Sequence, residues 1–374
     1  MTPSPRIAFV HDWLTNWGGA EFVLQNLLEI WPGTPVHTIV SDPNGQCREL
    51  IANNRIVDSF IARLPRARSA YRSYLALMPL AVEQFDLSGY DLIISNSHAV
   101  AKGVLTGPNQ LHISYVQTPM RYAWDLQHEY LRQAGLTRGP RSILARLLLH
   151  TIRQWDRGTA NGVDEFVANS HFVARRIEKT YRRQATVIHP PVDVERFSLR
   201  ADKQDFYLAA GRMVPYKRMD LIVEAFSKMP ERRLVVIGDG PERGKIQAQA
   251  GKNIDFMGYL PTDRLAEYLQ RARAFVFAAE EDFGLMPVEA QACGTPVIAY
   301  GKGGALETIQ EGQTGVFFGE QSAAALIATV NAFEARPAGF RPQDLRQHAE
   351  QFGKQRFQAE FQSFVNKKWM SFLT

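Results

Sequence analysis

Short apolar runs alternate along the chain with stretches whose apolar residues recur at helical spacing, a pattern that predicts parallel sheets built from strand–helix–strand units. In the first half the runs predict strands at Arg6–Val10, Val36–Val40, Asp91–Ser95, His112–Val116, Glu165–Ala168 and Thr186–His189. Helices are predicted between them, among them Ala20–Ile30 and Ile143–Trp155. The second half repeats the scheme, with strands at Phe206–Ala210, Arg233–Ile237, Ile254–Met257, Ala274–Phe277, Pro296–Ala299 and Gly315–Phe317. Asp220–Ser227, Leu265–Arg271 and Val288–Ala292 are its expected helices. The fold class is α/β, with two doubly wound parallel-sheet units in tandem. His189-Pro190-Pro191-Val192-Asp193 can continue neither sheet nor helix and marks the boundary, so the domains are expected at 1–190 and 191–355. Phe357, Phe361, Phe364, Trp369 and Phe372 keep helical spacing, and a terminal helix over about 356–374 is expected to pack back on the first domain.

Composition narrows the class. With 374 residues, 45% apolar and 22% charged, the chain suits two folded domains and not a disordered protein. Cys47 and Cys293, far apart, exclude a disulfide framework, a zinc cluster or an iron–sulfur site, and a reducing, cytoplasmic setting is expected. The run Ile7–Val10 is too short for a signal-peptide core and no stretch reaches the length of a membrane span. The net charge of +5 lies wholly in residues 1–190, where 20 Lys and Arg face 15 Asp and Glu.

Four segments at predicted strand ends carry candidate chemistry. Gly18-Gly19, before a helix, lets backbone amides approach a phosphate or sugar. In Gly211-Arg212-Met213-Val214-Pro215-Tyr216-Lys217-Arg218, the two cations Arg212 and Lys217 can hold a diphosphate from two sides. Gly238-Asp239-Gly240-Pro241-Glu242-Arg243-Gly244 departs from a dinucleotide fingerprint in glycine spacing and reads as a tight turn beside a nucleotide. In Glu281-Asp282-Phe283-Gly284-Leu285-Met286-Pro287-Val288-Glu289, Pro287 suits the first helical position and Glu289 the first turn. Both Glu281 and Glu289 then accept hydrogen bonds from sugar hydroxyls while the amides of Gly284, Leu285 and Met286 face an anion. Ser95-Asn96-Ser97-His98 and Ala168-Asn169-Ser170-His171 echo each other after strands; Ser97 and Ser170 read as helix caps, or the turns as ligand-facing. No DxD acidic pair, HExxH, GxSxG or GxxxxGK[ST] pattern occurs, so no metal and no cofactor is expected.

In this order the segments resemble the retaining nucleotide-sugar glycosyltransferases of family 4, over essentially the whole chain. The resemblance rests on Gly18-Gly19, the Gly211–Arg218 loop, Gly238–Arg243, the turn at 258–265, Glu281 with Glu289 eight residues on, and Cys293-Gly294-Thr295-Pro296-Val297. His11-Asp12-Trp13-Leu14 and Thr118-Pro119-Met120-Arg121-Tyr122 add a likeness to bacterial mannosyltransferases of surface-polysaccharide assembly. It implies the GT-B architecture, two Rossmann-like domains facing a cleft. It further implies that Gly18, Gly19, Arg212, Lys217 and the amides of Gly284, Leu285 and Met286 hold the donor diphosphate, Glu289 the ribose, Glu281 the transferred sugar, and Tyr259 and Leu260 the base. Gln117 stands where the family often has a histidine and cannot titrate, so no general base is expected there, but it stays a catalytic candidate that hydrogen-bonds the sugar; His98, His112 and His171 are either substitutes or structural residues of their turns. His98, Arg121, Ser170 and His171 are expected on the acceptor side, and the donor favoured by the likeness is GDP-mannose.

The segment from Arg63 to Leu80 is basic, then aromatic and apolar. It is either a solvated face or a contact with an anionic membrane that brings a polyprenyl-diphosphate-linked acceptor within reach at the inner face of the cytoplasmic membrane. A nicotinamide-dependent oxidoreductase and a non-catalytic carbohydrate- or lipid-binding relative are the rival classes. Nucleic acid is not an expected partner, since no recognition helix or aromatic-interleaved basic sheet occurs.

Overall fold

The computed structural model describes residues 4–335 and 339–374. The chain forms two compact units, one made of residues up to Pro190 together with Phe357–Thr374, the other of Pro191–Arg356.

The first unit holds a seven-stranded sheet in the order β3-β2-β1-β4-β5-β6-β7, every pairing parallel. Its strands are β1 Ile7–His11, β2 Val36–Thr38, β3 Ile56–Asp58, β4 Leu92–Ser97, β5 Leu111–Val116, β6 Glu165–Ala168 and β7 Ala185–Val187. The second unit holds a six-stranded parallel sheet in the order β10-β9-β8-β11-β12-β13. These are β8 Tyr207–Ala210, β9 Leu234–Ile237, β10 Ile254–Gly258, β11 Ala274–Phe277, β12 Val297–Tyr300 and β13 Gly315–Phe318. Both are Rossmann-like, and each reverses its winding once, between β1 and β4 and between β8 and β11. Ligands of open α/β sheets enter at the carboxyl ends of such strands. Among the described residues no helix is long and apolar enough to cross a membrane.

Apolar cores lie on both faces of each sheet. The helices Gly19–Ile30 and Lys354–Phe372 cover one face of the first sheet, where Phe357 and Phe361 are fully buried and Tyr115 meets both rings edge-on at 5.8 and 5.9 Å. The terminal helix is tied down further by Lys368 Nζ on Glu165, at 2.6 Å.

Three local expectations are corrected. Strand β3 was not predicted: it is a three-residue edge strand, only partly buried, and produces no apolar run. Second, the helix expected at Val288–Ala292 begins at Leu285, so Pro287 is its third residue and Glu289 lies on its second turn. A proline fits anywhere in the first turn, whose N–H groups have no intrahelical acceptor. Third, Ser97 does not cap a helix; it ends β4, and only the short turn Ala101–Gly103 follows. Ser170 does cap, its Oγ accepting the Val173 N–H at 3.0 Å.

Candidate functional site

In the second unit, the loops at the carboxyl ends of β8, β9, β11 and β12 bring most of the donor-side candidates together. Gly211 has φ +143 and Gly238 φ +135, and a Cβ on Gly238 would lie 2.0 Å from the Gly211 carbonyl oxygen. Gly240 abuts the Met213 carbonyl in the same way, at 2.4 Å. Met213 N–H donates to Asp239 O and Glu242 N–H to Met213 O, so the two loops run on as a pair beyond their strands. The glycines of the Gly238–Gly240 turn are thus needed for contact with protein, which removes the reason to see a nicotinamide fingerprint there.

This pairing presents Arg212 and Lys217. Arg212 is exposed, and its guanidinium has no hydrogen bond or ion pair among the described residues. Lys217 Nζ contacts Glu281 Oε1, 64 residues away, with both side chains about four-fifths buried. The loop carrying Glu281 is held from behind by a glycine pair that the sequence reading missed. Gly304 N–H donates to Glu281 O at 2.8 Å, a Cβ on Gly303 would meet the same oxygen at 2.4 Å, and one on Gly304 would meet Phe283 Cα at 2.3 Å. The signal was available: Gly303-Gly304 follows a predicted strand, as Gly18-Gly19 does.

Gly284, at φ +92, turns the chain into the helix Leu285–Ala292, whose first-turn amides are without helical acceptors. Leu285 and Met286 are half-buried, their side chains packed on the core beneath. Glu289 has no hydrogen-bond partner among the described residues, and burial pushes its carboxyl up to about 7, eased by Arg196 and reinforced by Asp193. At the end of β10, Tyr259 is 71% exposed and Leu260 is packed against the core. Such a ring, open on one side, is placed to stack on a flat ligand.

In the first unit Gly18 is extended and precedes the helix Gly19–Ile30, with Glu21 close beneath it and 3.3 Å from the buried His11. Asp12, fully buried at the end of β1, organises the turn after β4. Its carboxylate accepts four backbone N–H groups, from His98, Ala99, Val100 and Ala101, at 2.6 to 3.0 Å. Asp12 Oδ2 also lies 3.0 Å from His98 Nδ1, and Trp13 meets the His98 ring edge-on at 4.6 Å. Asp12 therefore does the capping that the sequence assigned to Ser97. His98 remains partly open.

Gln117 sits in a chain of amides across three strand ends. Asn169 Nδ2 donates to Gln117 O, Gln117 Nε2 donates to Asn96 Oδ1, and Asn96 Nδ2 donates to Ala20 O, each at 2.7 to 2.9 Å. Ser170 is buried, its hydroxyl occupied by Asn169 Oδ1 and the Val173 N–H, so it shapes its turn and does not reach outward. His171 is exposed, 6.2 Å from the His189 ring, and Arg121 is half-buried in the loop after β5. His112 is no substitute base: it is fully buried against Ser95 Oγ, and desolvation holds it down at about 4, hence neutral.

Comparison with known proteins gives a consistent picture. The family described as Glycosyltransferase Family 4 matches residues 17–196, and the family described as Glycosyl transferases group 1 matches 192–356. A D-inositol 3-phosphate glycosyltransferase of Geodermatophilus obscurus is 32% identical over 46% of this chain and 46% of its own length. A GDP-mannose-dependent alpha-(1-6)-phosphatidylinositol monomannoside mannosyltransferase of Mycolicibacterium smegmatis is 26% identical over 48% of this chain and 56% of its own. The matched segments thus span about half the length of these curated relatives. Among solved structures, sucrose-phosphate synthase from Thermosynechococcus elongatus superposes with a TM-score of 0.73 at 19% identity, covering 98% of this chain and 99% of that one. Anabaena HepE in complex with UDP-glucose gives 0.72 at 17%, covering 97% and 100%. These likenesses show the fold.

Proposed function

This chain belongs to glycosyltransferase family 4 and has its GT-B fold, and we propose that it transfers a hexose, with retention of anomeric configuration, from a nucleotide diphosphate sugar to a hydroxyl of a glycan or lipid-linked glycan. Mannose from GDP-mannose is the donor this reading favours. Its support is the mannosyltransferase likeness in the sequence and the GDP-mannose dependence in the name of one relative.

The carrying observation is the Lys217–Glu281 contact, made from the same loop that carries the exposed Arg212, whose guanidinium has no partner among the described residues. A diphosphate between Arg212, Lys217 and the amides of Gly284, Leu285 and Met286 has its charge met without a metal ion. Lys217 then turns from Glu281 to phosphate, and the freed Glu281 carboxylate accepts hydrogen bonds from the sugar. Glu289 takes the ribose hydroxyls, and Tyr259 stacks on the base with Leu260 beside it. During transfer the anomeric carbon–phosphate oxygen bond breaks while the acceptor oxygen bonds to the same face of that carbon. The acceptor proton goes to the departing phosphate oxygen, so the nontitrating Gln117 needs only to position. His98, Arg121 and His171 face the acceptor; in this scheme Ser170 supports their turn. Transfer onto a polyprenyl-diphosphate-linked glycan at an anionic membrane, in surface polysaccharide assembly, is the cellular setting proposed.

Slow hydrolysis of GDP-mannose, followed by GDP release, tests the donor. Glu281→Ala is expected to lower it about 100-fold or more, as loss of a group that stabilises the transition state does. Undiminished hydrolysis in that variant would sink the assignment of Glu281. Calorimetry with GDP and UDP tests the base, and tighter UDP binding would overturn the choice of GDP-mannose.

A further inference from the structure

The first unit contains a cavity of about 170 Å³ between the loop after β5 and the helix His171–Tyr181. By the share of volume a water occupies in the liquid, that is room for about six waters, enough for a phosphate group. Pro119 and Trp124 form one wall and Phe172 part of the other. Arg175, Arg176 and Lys179 line it from the helix, against a single carboxylate, Asp125, which takes the Arg176 guanidinium at 2.6 Å. Arg175 and Lys179 have no carboxylate partner among the described residues, so the cavity carries an excess of positive charge. They stand one helical turn apart, where like charges repel and weaken a helix unless a counter-charge lies between them.

Both walls are fixed from behind by one buried carboxylate. Asp156 Oδ2 accepts the indole N–H of Trp124 at 2.7 Å, and the same carboxylate accepts the hydroxyl of Tyr181, on the helix that carries the cations. Lys102, 2% exposed, neutralises it at 2.7 Å and sits 4.8 Å from the Tyr181 ring. Phe172 lies 5.9 and 5.7 Å from the guanidinium carbons of Arg175 and Arg176. A cavity with aromatic walls, surplus cations and anchored sides is preorganised for an anion on an apolar or flat stem.

We infer that this cavity binds the phosphate-bearing end of the acceptor, a phosphate ester with an apolar stem. The assignment to the acceptor rests on the transferase reading above; the anion site itself does not. That phosphate belongs either to a soluble phosphorylated acceptor or to a lipid headgroup.

Titrating the full chain calorimetrically with phenyl phosphate tests it. Saturable binding is expected, weakened about tenfold or more in Arg175→Ser/Lys179→Ser, two exposed positions whose replacement leaves the core intact. GDP affinity is expected to stay within about twofold of the parent, because none of these residues belongs to the donor machinery. Absence of phenyl phosphate binding in the parent, or equal binding in parent and variant, would overturn the proposal. Failure of GDP to bind at all would instead strike the transferase reading and leave the anion site standing. Sedimentation with phosphatidylglycerol vesicles separates the sources: loss in the double variant assigns the phosphate to a lipid headgroup, and unchanged sedimentation assigns it to a soluble acceptor.

Discussion

Glu289 shows what a single side chain contributes when burial outweighs its charges. Desolvation raises its carboxyl to about 7 from an ordinary value of 4.5, more than Arg196 draws it back. The folded protein therefore keeps a proton that the unfolded chain releases, so this residue's contribution to stability falls as pH rises from about 4.5 to about 7 and is flat above. The shift corresponds to about 3 kcal/mol at most. Glu289→Gln is expected to be the more stable protein above neutrality by up to that amount, with the gap closing towards pH 4.5. Thermal denaturation across that range checks it, and parallel curves for the two proteins would refute the assignment. In the transferase reading the same substitution weakens nucleotide binding, since a neutral amide accepts ribose hydroxyls less strongly than a carboxylate. Cys47 and Cys293 lie at the other extreme of the same effect: burial pushes both thiols up to about 12, and neither should react with a thiol reagent before unfolding.

At the scale of elements, the strand ends work as interlocked loops. Gly304 touches Phe283 where no Cβ fits, and its N–H holds Glu281. Gly304→Ala is expected to displace the Glu281 loop, cost about 1–3 kcal/mol of stability and, in the transferase reading, lower donor affinity although it removes no ligand group. Melting temperature together with nucleotide calorimetry measures both effects, and unchanged values would show that the loop is not supported from this side. Most elements were legible in the sequence, because a parallel strand buried on both faces writes itself as an apolar run. Edge strand β3 was not, and the start of the Leu285 helix was misplaced because the turn depends on Gly284 at positive φ, a conformation that no hydrophobic period encodes. Much of the candidate site was equally visible as residue types at strand ends. The supports were not: Asp12 under the 98–101 turn, and the amide chain from Asn169 through Gln117 to Asn96, depend on β1 lying beside β4, and β5 between β4 and β6.

At the scale of the whole molecule, the chain leaves its first unit at Pro190 and returns to it at Phe357. The returning helix completes a core, burying Phe357, Phe361 and Val365 against the first sheet. Phe361→Ala is expected to cost about 3–5 kcal/mol. Removal of residues 357–374 should leave the first unit aggregation-prone with an exposed apolar face. Denaturant unfolding of the point variant and solubility of the truncated chain test this, and a fully soluble, stably folded truncation would show that the helix is dispensable.

The sequence by itself determined the two α/β units, the break at Pro190-Pro191, and the charged residues and glycines that gather at strand ends. Those properties are local: period, backbone freedom and ionic character belong to a residue and its neighbours in the chain. Tertiary structure decided the pairings. Lys217 meets Glu281 across 64 residues, and Asp156 gathers Lys102, Trp124 and Tyr181 behind a cationic cavity that no motif announced. Hydrogen bonds and close ion pairs act only over a few ångströms, so which groups meet is set by the order of strands in the sheet, not by their order in the chain.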